Sequence, residues 1–268
     1  MGPPRADYHM HSRQFSCDAR SSMAEMCQAA IEAGLEEIAI TDHLDGHPGD
    51  NCHGYYSVAA YFDEIARCRA LFAPRLTIRA GIEVGDPHRF PEVISPTVRG
   101  HDYDFAIGSV HWIDDVAPFG DAFFRAHDAA FAFGGYFREA LALAKADDFD
   151  VLGHLDMPKR EGTAFYGPFC ADDYGDALRE ILRTLIAHGK GIEINTSGWR
   201  KSADECCPGP SVLKWYADLG GEILTIGSDA HRTEHVGLFR ARALDLAREA
   251  GLRWLTTFEC RRPVQHRL

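Results

Sequence analysis

The sequence predicts an α/β protein with a barrel of the TIM type, built from seven β-then-α units. Three observations lead to this fold. Short apolar stretches of strand length alternate with segments of helical periodicity along the 268 residues. Histidine or carboxylate side chains follow most of these stretches, and several helical segments stop at a glycine. Because parallel strands deliver their carboxyl ends to one rim of a barrel, residues distant in sequence would meet there.

Seven strands are expected, each four to eight residues long. Their apolar residues lie at 6–11, 37–41, 76–82, 105–110, 149–153, 191–194 and 222–227. They end near His11, His43, Val84, His111, Asp156, Thr196 and Asp229. Polar residues at six of the seven ends favour a closed barrel. A doubly wound open sheet is the competing fold, but fewer of its strands reach the ligand crevice.

Helical periodicity connects the strands. It is clearest at 22–33, 58–72, 122–146, 172–188 and 211–218. Glycines that favour a left-handed helix end follow four helical segments, at Gly34, Gly189, Gly220 and Gly251. No repeat, linker or low-complexity tract divides the chain, so we expect one domain over residues 1–268.

Composition excludes some classes of function. A net charge of −12, from 40 acidic and 28 basic residues, argues against binding of long nucleic acid. No apolar run of membrane-spanning length occurs, and the N-terminus lacks the apolar core of a signal peptide, so a cytoplasmic protein without membrane association is expected. The eight cysteines show no Cys-x-x-Cys spacing, and we expect reduced thiols without a special role. Nothing in the sequence predicts an oligomeric state.

Histidines and carboxylates at the strand ends predict a metal cluster. His9 and His11 lie two apart on the first strand, so both imidazoles face the same side. Similar donors recur at or shortly after other strand ends: Asp18, His43, Glu83, His111, His154, Asp229 and His231. Imidazole and carboxylate donors together suit zinc, manganese or iron. The other eight histidines (47, 53, 88, 101, 127, 188, 235 and 266) are interpreted as ordinary surface or core residues.

We expect these donors to hold three divalent ions. The first would be bound by His9, His11, Glu83 and Asp229, the second by Glu83, His111 and His154, and the third by Asp18, His43 and His231. Three carboxylates leave three divalent cations with net positive charge, which favours capture of a phosphate. Such ions lower the pKa of bound water towards about 7, so the cluster predicts phosphomonoester hydrolysis. Glu83, Asp229 and His231 are the expected catalytic residues.

The motifs at the strand ends also match a known family. They are Asp7-Tyr8-His9-Met10-His11, Ile40-Thr41-Asp42-His43, Gly81-Ile82-Glu83, Ile107-Gly108-Ser109-Val110-His111, Gly153-His154-Leu155-Asp156 and Gly227-Ser228-Asp229-Ala230-His231. With them the chain resembles the PHP (polymerase and histidinol phosphatase) family from Asp7 to about Pro263. Residues 153–160 and 193–201 are similar to its histidinol-phosphatase branch. Asp18 departs from the histidine that many relatives carry.

The resemblance implies a distorted TIM-like (β/α)7 barrel, a trinuclear site and hydrolysis of L-histidinol phosphate, a small phosphorylated metabolite of histidine biosynthesis. It suggests Arg160 and Arg200 as phosphate-binding residues, and guanidinium groups do give bidentate contacts to phosphate. A carboxylate such as Glu161 or Glu193 would bind the ammonium group of the substrate. Glu193 and Asn195 also lie at a strand end, where a structural role behind the ligands is an equal alternative.

Three other functions remain open. Another PHP activity would remove a nucleotide 3′-phosphate or trim short oligonucleotides. An amidohydrolase with a binuclear site commonly uses a bridging lysine at the fourth strand end, where this chain has Ser109-Val110-His111. A non-catalytic metal-binding module is the last alternative, and it would be expected to lose ligands that this chain retains.

Overall fold

The computed structural model describes residues 2–268 and contains a nearly closed barrel of parallel strands. The strands are β1 (Ala6–Asp7), β2 (Glu37–Ile40), β3 (His43–Asp45), β4 (Thr77–Gly85), β5 (Phe105–Ser109), β6 (Val151–Leu152), β7 (Gly191–Asn195), β8 (Leu224–Gly227), β9 (Trp254–Glu259) and β10 (Arg262–Arg267). Neighbours in the barrel follow the order β1-β2-β4-β5-β6-β7-β8, and β3, which continues the line of β2, pairs with β4. The predicted distorted TIM-like fold is confirmed.

The first and last barrel strands lie side by side and close the barrel. The amide of Tyr8 donates to the carbonyl of Ile226 at 2.9 Å, and a parallel bridge joins Met10 to Ala230. The Asp7 carboxylate also accepts the Ser228 amide at 2.9 Å. The first strand is thereby fixed against the loop after β8, which brings His9 and His11 next to Asp229.

Nine α-helices accompany the strands within residues 2–268. They are α1 (Met23–Glu32), α2 (Val58–Phe72), α3 (Pro91–Gly100), α4 (Gly120–Ala126), α5 (Tyr136–Ala144), α6 (Lys159–Tyr166), α7 (Gly175–Ala187), α8 (Pro210–Asp218) and α9 (Arg240–Glu249). A capping box of Ser22 and Glu25 begins α1. The four glycines expected at helix ends all adopt positive φ, which confirms those predicted stops.

The single helix expected over residues 122–146 is wrong. Helix α4 ends at Ala126, a π-helical segment covers Ala130–Gly135, and α5 follows it. The Asp128 carboxylate accepts the amide of Phe131 at 2.8 Å, so a new helical segment begins with a side-chain cap. The apolar periodicity continues across this break, and the sequence pattern therefore did not reveal it.

An antiparallel hairpin of β9 and β10, which the sequence analysis did not anticipate, lies at the amino-terminal end of the barrel. The hydroxyl of Thr256 accepts the amide of Leu224 at the start of β8, at 3.2 Å. Phe258 packs on Phe105 with ring centroids 4.9 Å apart, and Phe105 packs edge-on against Tyr8. The hairpin therefore covers the end of the barrel opposite to the predicted metal site.

Cys17 and Cys52 form a disulfide bond, with Cα atoms 5.3 Å apart. The expectation that all cysteines are reduced is wrong for this pair. The loop after β1 and the loop after β3 meet at the same rim, so two residues separated by 35 positions come together without any local motif. The other six cysteines carry free thiols. Within residues 2–268, helices that combine the length and the apolar character needed to cross a membrane are absent.

Candidate metal centre

The nine predicted ligands converge at the carboxyl end of the barrel, with Glu83 at their centre. One carboxylate oxygen of Glu83, Oε2, lies 3.3 Å from His9 Nε2 and 3.5 Å from His11 Nε2. The other, Oε1, lies 3.1 Å from His154 Nε2 and 3.4 Å from His111 Nε2. Oε2 also lies 3.0 Å from His43 Nδ1, so the two oxygens face different sets of imidazoles, as a bridging ligand requires.

Two further carboxylates extend this cluster. Asp229 Oδ1 lies 3.6 Å from His11 Nε2, on the side of the first expected ion. Asp18 is in the loop after β1, and its oxygens lie 3.0 Å from His231 Nε2 and 3.7 Å from His43 Nε2. The loop therefore supplies the carboxylate that the strands do not provide, at the place where the third ion was expected.

The donor atoms of the cluster fit divalent cations. His9 Nε2, His11 Nε2 and Glu83 Oε2 are buried and have no hydrogen-bond partner within residues 2–268. Buried polar atoms are almost always satisfied, because leaving one without a partner costs free energy. The three atoms lie within 4.8 Å of one another, and the same holds for donor atoms of His43, Glu83 and His111. A bound cation satisfies all of these lone pairs at once.

Hydrogen bonds on the outer side of the imidazoles fix their orientation. His111 Nδ1 donates to Asp45 Oδ1 at 2.7 Å, and His9 Nδ1 donates to Glu193 Oε1 at the same distance. A proton held on Nδ1 leaves the Nε2 lone pair directed at the cluster, and it raises the basicity of the ligand. His11 Nδ1 likewise contacts the hydroxyl of Ser16 at 3.3 Å.

Glu193 occupies a different position from the one expected for a substrate contact. It is completely buried behind His9, and its second oxygen accepts the side-chain amide of Asn195 at 3.0 Å and the backbone amide of His154 at 3.1 Å. A carboxylate enclosed in this way has no access to a ligand in solution. We therefore propose that Glu193 orients His9 instead of binding substrate. Glu161, the other candidate, pairs with Lys201 at 2.8 Å.

The imidazoles and carboxylates of the cluster shift one another's pKa values. Burial lowers the pKa of His11, and the neighbouring His43 and His231 lower it further, which favours its neutral form. For His9 and His111 burial alone would lower the pKa, but the surrounding carboxylates outweigh it and raise the pKa, so a cation that binds here displaces protons from them. Burial alone would raise the pKa of Glu83, but the surrounding imidazoles outweigh it and hold that pKa well below its ordinary value. A neutral imidazole and an ionised carboxylate are the forms that bind metal.

Two of the ligands lie on unusual backbone. Asp229 has φ of 53° and His154 has φ of 27°, both in the left-handed region that residues with a side chain rarely adopt. Such conformations persist where surrounding contacts hold them and are concentrated at functional sites. At Asp229 the two terminal nitrogens of Arg200 donate to the carbonyls of Ser228 and Asp229, at 2.8 and 3.1 Å. Arg200 thus stabilises the turn that presents a predicted ligand.

Two cavities meet at the cluster and share Asp18, Arg160, Asp229 and His231. The first, which we call the metal-site cavity, has a volume of about 490 Å³. Its side away from the arginines, the acidic-aromatic wall, is defined by Asp45, Asp50, Trp112 and Phe119. The second, the basic cavity, has a volume of about 450 Å³. Its arginine wall is defined by Arg20, Arg160, Arg200 and Arg232.

Arg160 is the arginine that reaches both cavities. Its Nη1 donates to Asp229 Oδ2 and to the hydroxyl of Ser197, each at 2.8 Å, and the side chain is largely buried. Its position beside Asp229, a predicted metal ligand, is compatible with the expected phosphate contact. Arg200 lines only the basic cavity, and its contacts to backbone carbonyls indicate that it also holds the loop after β8.

Sequence reasoning missed two residues of this site. Asp45 lies two positions after His43 on β3, so the spacing of the pair already placed both side chains on one face of the strand. Asp50 follows in an irregular loop and carries no comparable signal. Both line the metal-site cavity.

Comparisons with known proteins agree with this geometry. The family model described as PHP domain matches residues 7–197. A histidinol-phosphatase of Lactococcus lactis subsp. lactis is 32% identical, over 95% of this chain and 94% of its own length. A probable histidinol-phosphatase of Deinococcus radiodurans is also 32% identical, over 93% of this chain and 95% of its own.

A solved structure is similar over the same range. The crystal structure of the L. lactis histidinol phosphate phosphatase complexed with zinc, L-histidinol and phosphate superposes with a TM-score of 0.88 at 30% identity. It covers 97% of this chain and 98% of that one. From the family model, the identities and the shared fold, we conclude that this chain belongs to the PHP domain family.

Proposed function

We propose that the protein is a metal-dependent histidinol-phosphatase, which hydrolyses L-histidinol phosphate to L-histidinol and phosphate. The observation that carries this proposal is the convergence of all nine predicted ligands around Glu83, at the base of a cavity that an arginine also lines. The reaction itself is suggested by the L. lactis relatives, which share nearly the whole length of the chain.

Three divalent ions, of zinc, manganese or iron, fit the grouping of the ligands. His9, His11, Glu83 and Asp229 would hold the first ion, Glu83, His111 and His154 the second, and Asp18, His43 and His231 the third. When bound, such ions supply Lewis-acid activation of water and of the phosphoryl group.

The side chains of the chain itself contribute positioning and charge. Arg160 would hold outer oxygens of the phosphate, because its guanidinium lies beside Asp229 at the junction of the two cavities. The hydrogen bonds of His9 to Glu193 and of His111 to Asp45 keep both imidazoles in the tautomer whose Nε2 faces the cluster. Preorganised groups of this kind stabilise developing charge without reorganising during the reaction.

The test is release of phosphate by the purified protein loaded with manganese or zinc. L-Histidinol phosphate should exceed 3′- and 5′-mononucleotides, a 3′,5′-bisphosphate and p-nitrophenyl phosphate by at least about a hundredfold in kcat/KM, equivalent to about 2.7 kcal/mol. A preference for a nucleotide would replace the proposed substrate while keeping the reaction type. The variant Glu83→Gln, purified in the same way, controls for contaminating phosphatases. If it releases phosphate as fast as wild type, the activity comes from a contaminant.

A further inference from the structure

We propose that Asp50 binds the ammonium group of the substrate and thereby selects phosphate esters that carry an amine. The inference rests on the proposed function, because it takes the phosphate of the ester to lie at the metal cluster. It adds a specificity-determining residue from the acidic-aromatic wall. Four features of Asp50 support it: its availability, its distance from the cluster, its fixed orientation and its aromatic neighbours.

Asp50 is the available carboxylate of the metal-site cavity. Asp18, Glu83 and Asp229 face the imidazoles of the cluster, and Asp45 accepts from His111. Of the cavity-lining carboxylates in the described part of the chain, only Asp50 contacts none of the ligand imidazoles. A cationic group entering this cavity therefore finds its free anionic partner at Asp50.

The distance from the cluster suits a substrate with its amine close to the ester. An oxygen of Asp50 lies within 4.8 Å of an oxygen of Asp45, and Asp45 in turn contacts His111 at 2.7 Å. Asp50 is thus one residue removed from the predicted metal ligands. In histidinol phosphate, the carbon that bears the ammonium group is bonded directly to the ester methylene, so phosphate and amine require sites that lie near each other.

The carboxylate of Asp50 is held in a defined orientation. Its Oδ2 accepts the indole N–H of Trp112 at 3.1 Å, and its Oδ1 accepts the backbone amide of Cys52 at 2.8 Å. Each oxygen of a carboxylate has a second acceptor position, so both remain able to receive an ammonium N–H. A charged acceptor that is already oriented gives a stronger hydrogen bond for a smaller loss of conformational freedom.

An aromatic stack begins at Trp112, the hydrogen-bond partner of Asp50, and suits the rest of an organic cation. The ring of Trp112 stacks on His47 with centroids 3.7 Å apart. Gly49 lies against this stack, where a Cβ would be 3.1 Å from His47 and 3.2 Å from Trp112. Phe119 also lines the cavity and is 42% exposed. Aromatic faces beside a carboxylate attract cations and stack with flat rings, and an imidazole offers both properties.

The test compares two esters that differ only in the amine, L-histidinol phosphate and imidazolylpropyl phosphate, in wild type and Asp50→Asn. The amide keeps the size of the side chain and removes its charge. We expect Asp50→Asn to lower kcat/KM for the amine-bearing ester about 30-fold, mainly through KM, and to change the amine-free ester less than about 2-fold. Asp147→Asn is the matched control, because its carboxylate is 78% exposed beside Arg99 and does not line the metal-site cavity.

Equal losses on both esters would assign Asp50 a structural role and overturn the proposal, and so would unchanged kinetics. If wild type hydrolyses neither imidazole ester, the proposed function fails, and the pair phosphoethanolamine and ethyl phosphate then tests Asp50 by the same criterion. Calorimetric binding of L-histidinol and of its amine-free analogue to the metal-loaded protein gives a readout independent of turnover. Asp50→Asn must weaken L-histidinol alone, and any other result contradicts the assignment.

Discussion

The two walls that flank the metal cluster have opposite chemistry. The arginine wall contributes four guanidinium groups, and the acidic-aromatic wall contributes two carboxylates and two aromatic rings. This separation arises in a protein whose net charge is −12, so the local sign at the arginine wall is set by the loops and not by the composition. A ligand with an anionic and a cationic end is complementary to both walls in one orientation only.

The walls also differ in how they are connected to the cluster. Arg160 and Arg200 bond directly to Asp229, through its carboxylate and its carbonyl. On the other side only Asp45 contacts a ligand imidazole, whereas Asp50 is linked to Trp112 and Cys52. Changes at the arginine wall should therefore affect every phosphate ester, and changes at Asp50 should affect one class of ester.

Three variants change residues of the walls: Arg160→Ala, Asp45→Asn and Asp50→Asn. Of these, Arg160→Ala should lower kcat/KM the most. Arg160→Ala removes the guanidinium beside Asp229, and we expect kcat/KM to fall about 100-fold or more for amine-bearing and amine-free esters alike. Arg160→Lys should recover only part of this loss, because an ammonium does not reproduce the bidentate fork. Steady-state kinetics on both esters, with metal content measured in parallel, checks the result. If Arg160→Ala lowered the activity on only one of the two esters, the arginine wall would also act on one class of ester, and the two walls would not differ in this respect.

Replacing Asp45 should weaken metal binding instead of substrate selection. Asp45→Asn removes the charged acceptor of the His111 Nδ1 proton, and losing such a partner typically lowers metal affinity about 10- to 100-fold. Activity should return at high metal concentration, with an unchanged ratio between amine-bearing and amine-free esters. Metal titration followed by activity measures this, and a changed ratio would show that Asp45 contacts the substrate. The variant thus separates two neighbouring carboxylates of one wall.

The parts of the site at the strand ends were predictable from the sequence. His9 and His11 lie just after β1, where the bridge of Met10 to Ala230 continues the extended chain, and they face the same side as the two-residue spacing predicts. Glu83 on β4 and His111 after β5 follow from the rule that parallel strands end at one rim. The first strand supplies a ligand pair that only its spacing reveals, and Asp45 could have been found in the same way from its position two residues after His43.

The parts of the structure that lie on loops were harder to predict from the sequence. Cys17 pairs with Cys52, and Asp50 lines the cavity, because two loops meet through tertiary contacts that no local pattern records. The break between α4 and α5 has a local cause, the cap formed by Asp128, but the continuous apolar pattern conceals it. Glu193 shows the complementary limit, since its place at a strand end did not reveal that it lies behind His9.

The disulfide should have the smallest effect on catalysis, although it joins the loop of Asp18 to the loop of Asp50. Cross-linking residues 35 positions apart restricts the unfolded chain, and Cys17→Ser with Cys52→Ser should lower the free energy of unfolding by about 2–4 kcal/mol. With saturating metal we expect kcat/KM to change less than about 3-fold, because Asp18 and Asp50 keep their own contacts to His231 and Trp112.

Denaturant unfolding of this variant, of reduced wild type and of a Cys170→Ser control separates the effect of losing the disulfide from the effect of replacing a cysteine. Reduced wild type should match the double variant, since both lack the bond. If reduction instead lowers the activity on both esters strongly, the bond positions Asp18, and the acidic-aromatic wall depends on the same loop contact as the metal cluster.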